Sequence, residues 1–186
     1  FQACLQKSGA AQLLGQWDWN LDGKGPADAL ALMVLRPANK SHYNRGKMPE
    51  PREILEETVD HLAKYFDRID PPMMDVLRMR QGKVDLPVDG GNDTIRASTL
   101  WDVEDDGRLS VRHGDSFIMF MEWGKDGAVY SRSIQPFGAA TTRPESPHYT
   151  DQMQLFVDKK LKPVWFDPKD LEKHKTSDKV VRTPAR

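Results

Sequence analysis

The chain has 186 residues, with 27 Lys+Arg against 28 Asp+Glu and a formal net charge of −1. That balance excludes an overall electrostatic case for nucleic acid, which needs a basic face or stripe. With 38% hydrophobic and 30% charged residues, composition points away from both disorder and a membrane protein, and no apolar run reaches the roughly 18 residues of a spanning helix.

A chain of this length can bury a core large enough to need no covalent staple. The single cysteine, Cys4, excludes an internal disulfide and any multi-thiolate metal site. Nothing beside it would lower its thiol pKa, so it reads as a small core residue. The opening Phe1-Gln2-Ala3-Cys4 has neither a charged n-region nor an apolar h-region, so it reads as the interior of a longer protein.

In chain order, a first helical segment places Ala11, Leu13, Leu14 and Trp17 toward one face. It breaks at Asp18-Trp19-Asn20-Leu21-Asp22-Gly23-Lys24-Gly25-Pro26, where glycines, proline and Asx residues predict a loop. A second helix is expected from Ala27 to about Arg36, followed by a polar, irregular stretch from Pro37 to Met48. The strongest helical pattern follows. Pro51 suits a first turn, and Glu53, Glu56 and Glu57 lie near the positive end of the helix dipole. Ile54/Leu55, Thr58/Val59, Leu62/Ala63, Tyr65/Phe66 and Ile69 recur at the helical period, and Asp70-Pro71-Pro72 is expected to end the helix.

Past Gly90-Gly91 the period falls to two. Thr94–Trp101, Leu109–Arg112, Ser116–Trp123 and Ala128–Ile134 are predicted strands, with Asp106-Gly107 and Asp126-Gly127 supplying turn chemistry. Within Ser116–Trp123, Phe117, Met119, Met121 and Trp123 alternate with Ser116, Ile118, Phe120 and Glu122. Both faces are largely apolar, which predicts a strand inside a sheet covered on both sides. A helix over Ser146/Tyr149–Lys160, with Ser146 as N-cap, and a short one near Asp167–His174 complete the pattern. The expected class is α+β: a mainly helical part over residues 1–80, then antiparallel strands and C-terminal helices over 81–186.

Candidate chemistry is sparse. Asp18-x-Asn20-x-Asp22-Gly23 opens like a calcium loop, but Ala29 stands where the twelfth position needs a bidentate carboxylate. Asp102-x-Glu104-x-Asp106-Gly107 repeats the opening and reaches His113 at that position. The five histidines show no zinc spacing, so neither metal nor cofactor is expected. His113-Gly114-Asp115-Ser116 sets three catalytic residue types side by side, yet neighbours on a strand point to opposite faces and cannot readily form a triad. His148, Asp151 and Gln152 are expected to fasten their segment to a neighbouring element through hydrogen bonds.

Several segments together resemble a known family. Gly114-Asp115-Ser116-Phe117 before an apolar strand, then Gln135-Pro136-Phe137-Gly138, then Ser146-Pro147-His148-Tyr149-Thr150-Asp151-Gln152, resembles the C-terminal part of penicillin amidase-family acylases. Pro163-Val164-Trp165-Phe166-Asp167-Pro168 near the end and Leu86-Pro87-Val88-Asp89-Gly90-Gly91-Asn92-Asp93-Thr94 upstream are similar to that family too. The resemblance implies a segment of an αββα N-terminal-nucleophile sandwich, made as a precursor that cuts itself to free a serine whose own α-amine is the general base. It implies an N-acyl amide substrate such as a β-lactam antibiotic or an acyl-homoserine lactone, and no cofactor. Partners would be the α-subunit and the N-terminal part of the β-subunit, with no nucleic acid and no membrane.

No catalytic residue transfers. Residue 1 is Phe rather than Ser, and the family's oxyanion Asn lies upstream of the matching region. Gly114, Ser116, Gly138, Ser146, His148, Tyr149, Asp151 and Gln152 carry the family motifs and are expected to be structural. Ala139-Ala140 replaces the Gln-Ser that family members often have after the glycine. Location cannot be read from the residues, although family resemblance implies a periplasmic or secreted enzyme. The rival expectation is an autonomous, non-catalytic α+β binding or scaffold module derived from the same fold.

Overall fold

The computed structural model describes residues 2–99 and 102–180. Three helices come first: α1 (Gln2–Gly15), α2 (Asp28–Tyr43) and α3 (Pro51–Phe66). A single turn, α4 (Met73–Val76), leads into a hairpin of β1 (Leu77–Gln81) and β2 (Val84–Pro87). Then come β3 (Ser98–Thr99), β4 (Leu109–Ser110), β5 (His113–Gly114), β6 (Ile118–Trp123), β7 (Val129–Ile134), α5 (Met153–Val157), β8 (Lys162–Val164) and α6 (Pro168–His174). The class is α+β, as expected. The side chain of Cys4, and Trp101 at the end of an expected strand, lie outside the described residues.

α3 forms for the reasons its sequence supplies. Ile54, Thr58, Val59 and Leu62 make the buried stripe, and Pro51 occupies the first turn. Its end differs from expectation. Asp67 adopts a left-handed cap (φ 57°) and donates its N–H to Ala63 O, so the helix stops before Ile69 and the Pro71-Pro72 pair. α2 corrects the expected stop near Arg36, because it continues through Pro37 to Tyr43. A proline inside a helix forfeits one main-chain bond and costs about 3 kcal/mol. Packing on both sides of the proline offsets that cost: Leu30, Leu32 and Met33 are buried before it, and Ala38 and Asn39 are half-buried beyond it.

The strands form three small sheets, ordered β2-β1-β4, β3-β5 and β6-β7-β8. All pairings are antiparallel except β1 with β4, where Leu77 and Arg78 face Leu109 and Ser110 in parallel. β1, β2 and β8 were not anticipated from the sequence. The expected strand over Thr94–Trp101 reduces, among the described residues, to the two-residue β3. One core joins the helices to the strands: Leu30 and Leu62 share it with Met79, Leu109, Ile134 and Phe156.

Two corrections concern the second half. The helix expected over Ser146/Tyr149–Lys160 is only Met153–Val157, and residues 144–152 form successive turns. Tertiary bonds outweigh helical ones there, since Ala140 N–H donates to His148 O at 3.0 Å and Gln152 N–H to Phe137 O at 2.9 Å. β6, expected inside a sheet with both faces covered, is an edge strand in this chain. Phe120 is 60% exposed on one face and Trp123 68% exposed on the other, because no layer of the described chain packs over either.

Asp28, at the start of α2, is completely buried. Its Oδ2 accepts the Gly25 N–H at 3.1 Å, while its Oδ1 has no hydrogen-bond partner among the described residues. Burial pushes this carboxyl above its ordinary 3.8, against the pull of the Gly25 and Gly23 amides. A raised folded-state pKa favours the native state on the acid side, and that benefit fades as pH rises through the folded value. Asp28→Asn, which keeps an acceptor and removes the charge, is expected to gain stability relative to the parent as pH climbs from 3.8 to neutrality. Asp28→Ala strands the amide donors and is expected to cost about 1–3 kcal/mol. Urea midpoints of the three proteins across that pH range provide the check.

Candidate functional site

Two of the motif segments, 114–117 and 135–138, meet at one cleft of about 570 Å³. One wall is β5 and the turn after it, contributing His113, Gly114, Asp115 and Ser116; the other is Gln135, Pro136, Phe137 and Gly138 after β7, with Thr141 beyond. Ala97 and Ser98, at the start of β3, and Phe156 of α5 close the back. The sequence therefore brings together Gly114, Ser116 and Gly138, residues up to 24 positions apart, on a single surface.

The two glycines are dictated by close backbone approach. Gly114 has φ 142°, and a Cβ there would lie 1.9 Å from Ala97 O on the paired β3 segment. At Gly138 a Cβ would meet His148 O at 2.1 Å and Tyr149 O at 2.7 Å. Asp115 locks the first wall, its Oδ2 accepting the Ala97 N–H at 3.2 Å while its own N–H donates to Ala97 O at 3.2 Å. Burial raises the Asp115 carboxyl above 3.8, opposed by the Ala97 amide and by Arg96.

The remaining motif residues stand behind Gly138 as a chain of turns. The Ser146 hydroxyl accepts the His148 N–H at 3.1 Å, so Ser146 caps a turn rather than the helix expected from the sequence. His148 Nδ1 lies 2.9 Å from Asp151 Oδ2 at the surface. Tyr149 packs its ring against the β1–β2 turn at Gly82 and accepts Gln81 Nε2 on its carbonyl at 2.6 Å. Gln152 is buried, and its side-chain Oε1 has no hydrogen-bond partner among the described residues.

Pattern reading missed an ionic centre beneath this cleft. Asp89, 4% exposed, pairs with Arg96 and, at 2.6 Å, with Lys159. Arg96 also donates Nη2 to Phe156 O at 3.0 Å and lies 4.5 Å over the Phe156 ring. Two segments distant in sequence, the β2–β3 connection and the end of α5 with the turn after it, are thus tied together next to Ala97 and Phe156. The available signal was Asp89 inside the Pro87-Val88-Asp89-Gly90-Gly91 stretch, but its partners have no fixed spacing from it.

The loop at Asp18, Asn20 and Asp22 satisfies itself. Asp18 Oδ1 accepts the Asn20 N–H at 2.9 Å, and Asp22 accepts the Lys24 N–H at 3.1 Å and pairs with Lys24 Nζ at 2.5 Å. Among the described residues, no three His, Cys, Asp or Glu side chains converge as a metal site requires. Likewise, among the described residues, no serine hydroxyl is hydrogen-bonded to a histidine ring, and none links Ser116 to His113. What the arrangement does chemically is hold backbone: Asp115 and the Tyr149 carbonyl bond to neighbouring segments, while Ser146, His148 and Asp151 bond within their own turns.

The cleft is lined by Arg112, His113 and Asp115 among mostly small and apolar residues. The family model for penicillin amidase matches residues 38–173, and the chain belongs to the penicillin amidase family, whose members are acylase-type amidohydrolases. No curated protein matches the chain. The matched span takes in α3, all eight strands and the whole motif cleft.

Proposed function

We propose that this chain is the C-terminal structural segment of an acylase that hydrolyses the amide bond of N-acyl substrates, of the β-lactam or acyl-homoserine-lactone kind. Residues 1–80 and 81–186 then serve as parts of one larger αββα unit, with the α-subunit and the N-terminal part of the β-subunit as partners. In the acylase, the N-terminal serine Oγ attacks the acyl carbonyl and its proton passes through the serine's α-amine to the leaving amine. Water then releases the acid and restores the serine. This chain supplies rigid backing for that reaction. Its setting is periplasmic or extracellular.

The observation that carries this reading is the uncovered sheet. Phe120, Trp123 and Tyr130 are 60%, 68% and 60% exposed, and Met119 and Met121 stand beside them. An apolar patch of this kind on both faces of one hairpin marks a surface meant to be covered. It argues against an autonomous scaffold module, which would shield its own sheet. The full-length acylase is expected to cleave a chromogenic phenylacetyl or fatty-acyl amide, with residues 1–186 alone silent toward both. Turnover by the isolated chain would overturn the proposal.

A further inference from the structure

Four Asp-Gly dipeptides occur in the chain: Asp22-Gly23, Asp89-Gly90, Asp106-Gly107 and Asp126-Gly127. Glycine matters at the second position because it lacks the Cβ that hinders an aspartyl side chain from closing onto the next peptide nitrogen. Three of the four are built on one turn. Asp22 Oδ1 accepts the Lys24 N–H, Asp106 Oδ1 the Arg108 N–H and Asp126 Oδ1 the Ala128 N–H, each at 3.1 Å. The glycines have φ 77°, 78° and 81° in the same order. Each carboxyl is therefore folded back over the peptide bond that follows it.

The three turns differ in what holds the carboxylate. In the first, the residue after glycine is Lys24, whose Nζ lies 2.5 Å from Asp22 Oδ2 and keeps that carboxyl below its ordinary value. In the second it is Arg108, which reaches Asp106 Oδ2 at 3.4 Å, while Arg80 approaches the same oxygen at 2.6 Å. The Arg80 bond, helped by the Arg108 amide, brings the Asp106 carboxyl from 3.8 down to about 2. Asp89, outside this turn type, is buried against Arg96 and Lys159. In the third turn the residue after glycine is Ala128, and among the described residues no cation pairs with Asp126. Packing differs in the same sense. A Cβ on Gly107 would meet the Tyr65 ring at 2.2 Å and one on Gly23 would meet Met74 at 3.1 Å, whereas Gly127 has nothing within 4 Å. The Asp126 turn is an exposed hairpin tip, the kind of place that opens locally at least cost.

We propose that Asp126-Gly127 is a site of spontaneous aspartyl isomerisation, and that the cations beside Asp22, Asp89 and Asp106 protect those residues from the same reaction. The Gly127 nitrogen attacks Asp126 Cγ. The new C–N bond closes a succinimide ring, and the carboxyl oxygen leaves as water with the amide proton. Water then adds to either ring carbonyl. Opening at the Asp126 main-chain carbonyl gives isoaspartate, with the chain running through Cγ and a free α-carboxylate; opening at Cγ restores aspartate. One water leaves and one returns, and no other reactant is needed, so the step does not depend on the acylase reading. Only a protonated carboxyl can lose its oxygen as water, which is why a carboxylate held by a cation resists. The product has one more main-chain atom between Asp126 Cα and the Gly127 nitrogen. The bond from Ala128 N–H to Asp126 Oδ1 and the one from Gly124 N–H to Ala128 O at 2.8 Å then lose the spacing that closes the β6–β7 hairpin.

The test is to hold the folded full-length protein at physiological temperature in mildly acidic buffer, digest it, and map isoaspartate by peptide. Fragmentation that cleaves the Cα–Cβ bond locates each site, and labelling by an isoaspartyl methyltransferase with a labelled methyl donor counts it. A fall from 3.8 to about 2 leaves a carboxyl protonated about 60-fold less often once the pH is above both values. Solvent screening of an exposed pair trims that factor, so isoaspartate at residue 126 is expected to exceed that at residue 106 by at least about tenfold. Residues 22 and 89 are expected to lag behind residue 126 as well. Ala128→Lys gives the third turn the residue that follows glycine in the first, and is expected to slow the reaction at Asp126 at least about threefold. Lys24→Ala changes a side chain that is 81% exposed and is expected to speed the reaction at Asp22 by a similar factor. Isoaspartate no more abundant at residue 126 than at 22, 89 and 106 would overturn the assignment of the site. Rates unmoved by both variants would overturn protection by the cations.

Discussion

Asp89→Ala is expected to destabilise the chain by about 3–5 kcal/mol, the range for removing one partner of a buried ion pair. The carboxylate is 4% exposed and holds Arg96, whose side chain is 16% exposed, together with the Lys159 ammonium at 2.6 Å. Deleting it leaves a guanidinium largely out of water with the Phe156 carbonyl and ring, and the charge of Asp115, as compensation. The reciprocal variants should rank by exposure. Arg96→Ala leaves a buried carboxylate with one partner and is expected to fall in the same range as Asp89→Ala. Lys159, 55% exposed, is solvated once released, so Lys159→Ala is expected to cost no more than about 1 kcal/mol. Thermal and urea unfolding of the three variants would show this order. Three equally small losses would mean that water screens the centre and that it does not hold the cleft's back wall.

The parts of the fold legible in the sequence are those whose forces are local. α3 is readable because Ile54, Thr58, Val59 and Leu62 repeat at the helical period and Pro51 marks the start. β6 and β7 are readable because runs rich in β-branched and aromatic residues flank Asp126-Gly127, which closes the hairpin with Gly127 at φ 81°. What was not legible depends on neighbours distant in the chain. Pro37 reads as a stop, and only the packing before and after it lets α2 run on. The hairpin β1–β2 hides because its strands are short: Leu77 and Met79 alternate with Arg78 and Arg80 over only four residues, and the pairing that fixes them, with both arginines held by Asp85, lies across the ladder.

The motif cleft was half legible. Gly114, Ser116 and Gly138 drew notice as family residues and do share one surface. The reason for the glycines is a distance to Ala97 and His148 carbonyls, which no spacing rule encodes. Ser146 shows the opposite error. A serine before proline and an amphipathic run has the pattern of a helix start, yet the carbonyls of Phe137 and His148 recruit the amides of Gln152 and Ala140 and hold the segment in turns. The residues of β6 signal a strand, and β6 is one, but the cover they predict over both faces is not found in the described chain, where both faces are largely exposed.

Gly138→Ala and Gly114→Ala are expected to be the most damaging small substitutions in the cleft, each costing at least about 3 kcal/mol, at the upper end for overpacking. At Gly138 the obstacles are the His148 and Tyr149 carbonyl oxygens, which are main chain and cannot rotate aside. Relief requires the 137–140 loop to part from the 146–149 turn, breaking the Ala140–His148 bond and loosening the Gln81 bond to Tyr149 O. At Gly114 a methyl meets Ala97 O at 1.9 Å and must also be held at φ 142°. Gly127→Ala isolates the second effect, since Gly127 has φ 81° and nothing within 4 Å of an added Cβ. That variant should cost only about 1–2 kcal/mol, from backbone strain alone. Unfolding midpoints of the three proteins decide the matter. If Gly114→Ala and Gly138→Ala lose no more than Gly127→Ala, the two walls of the cleft give way freely, and the motif glycines are not what hold them together.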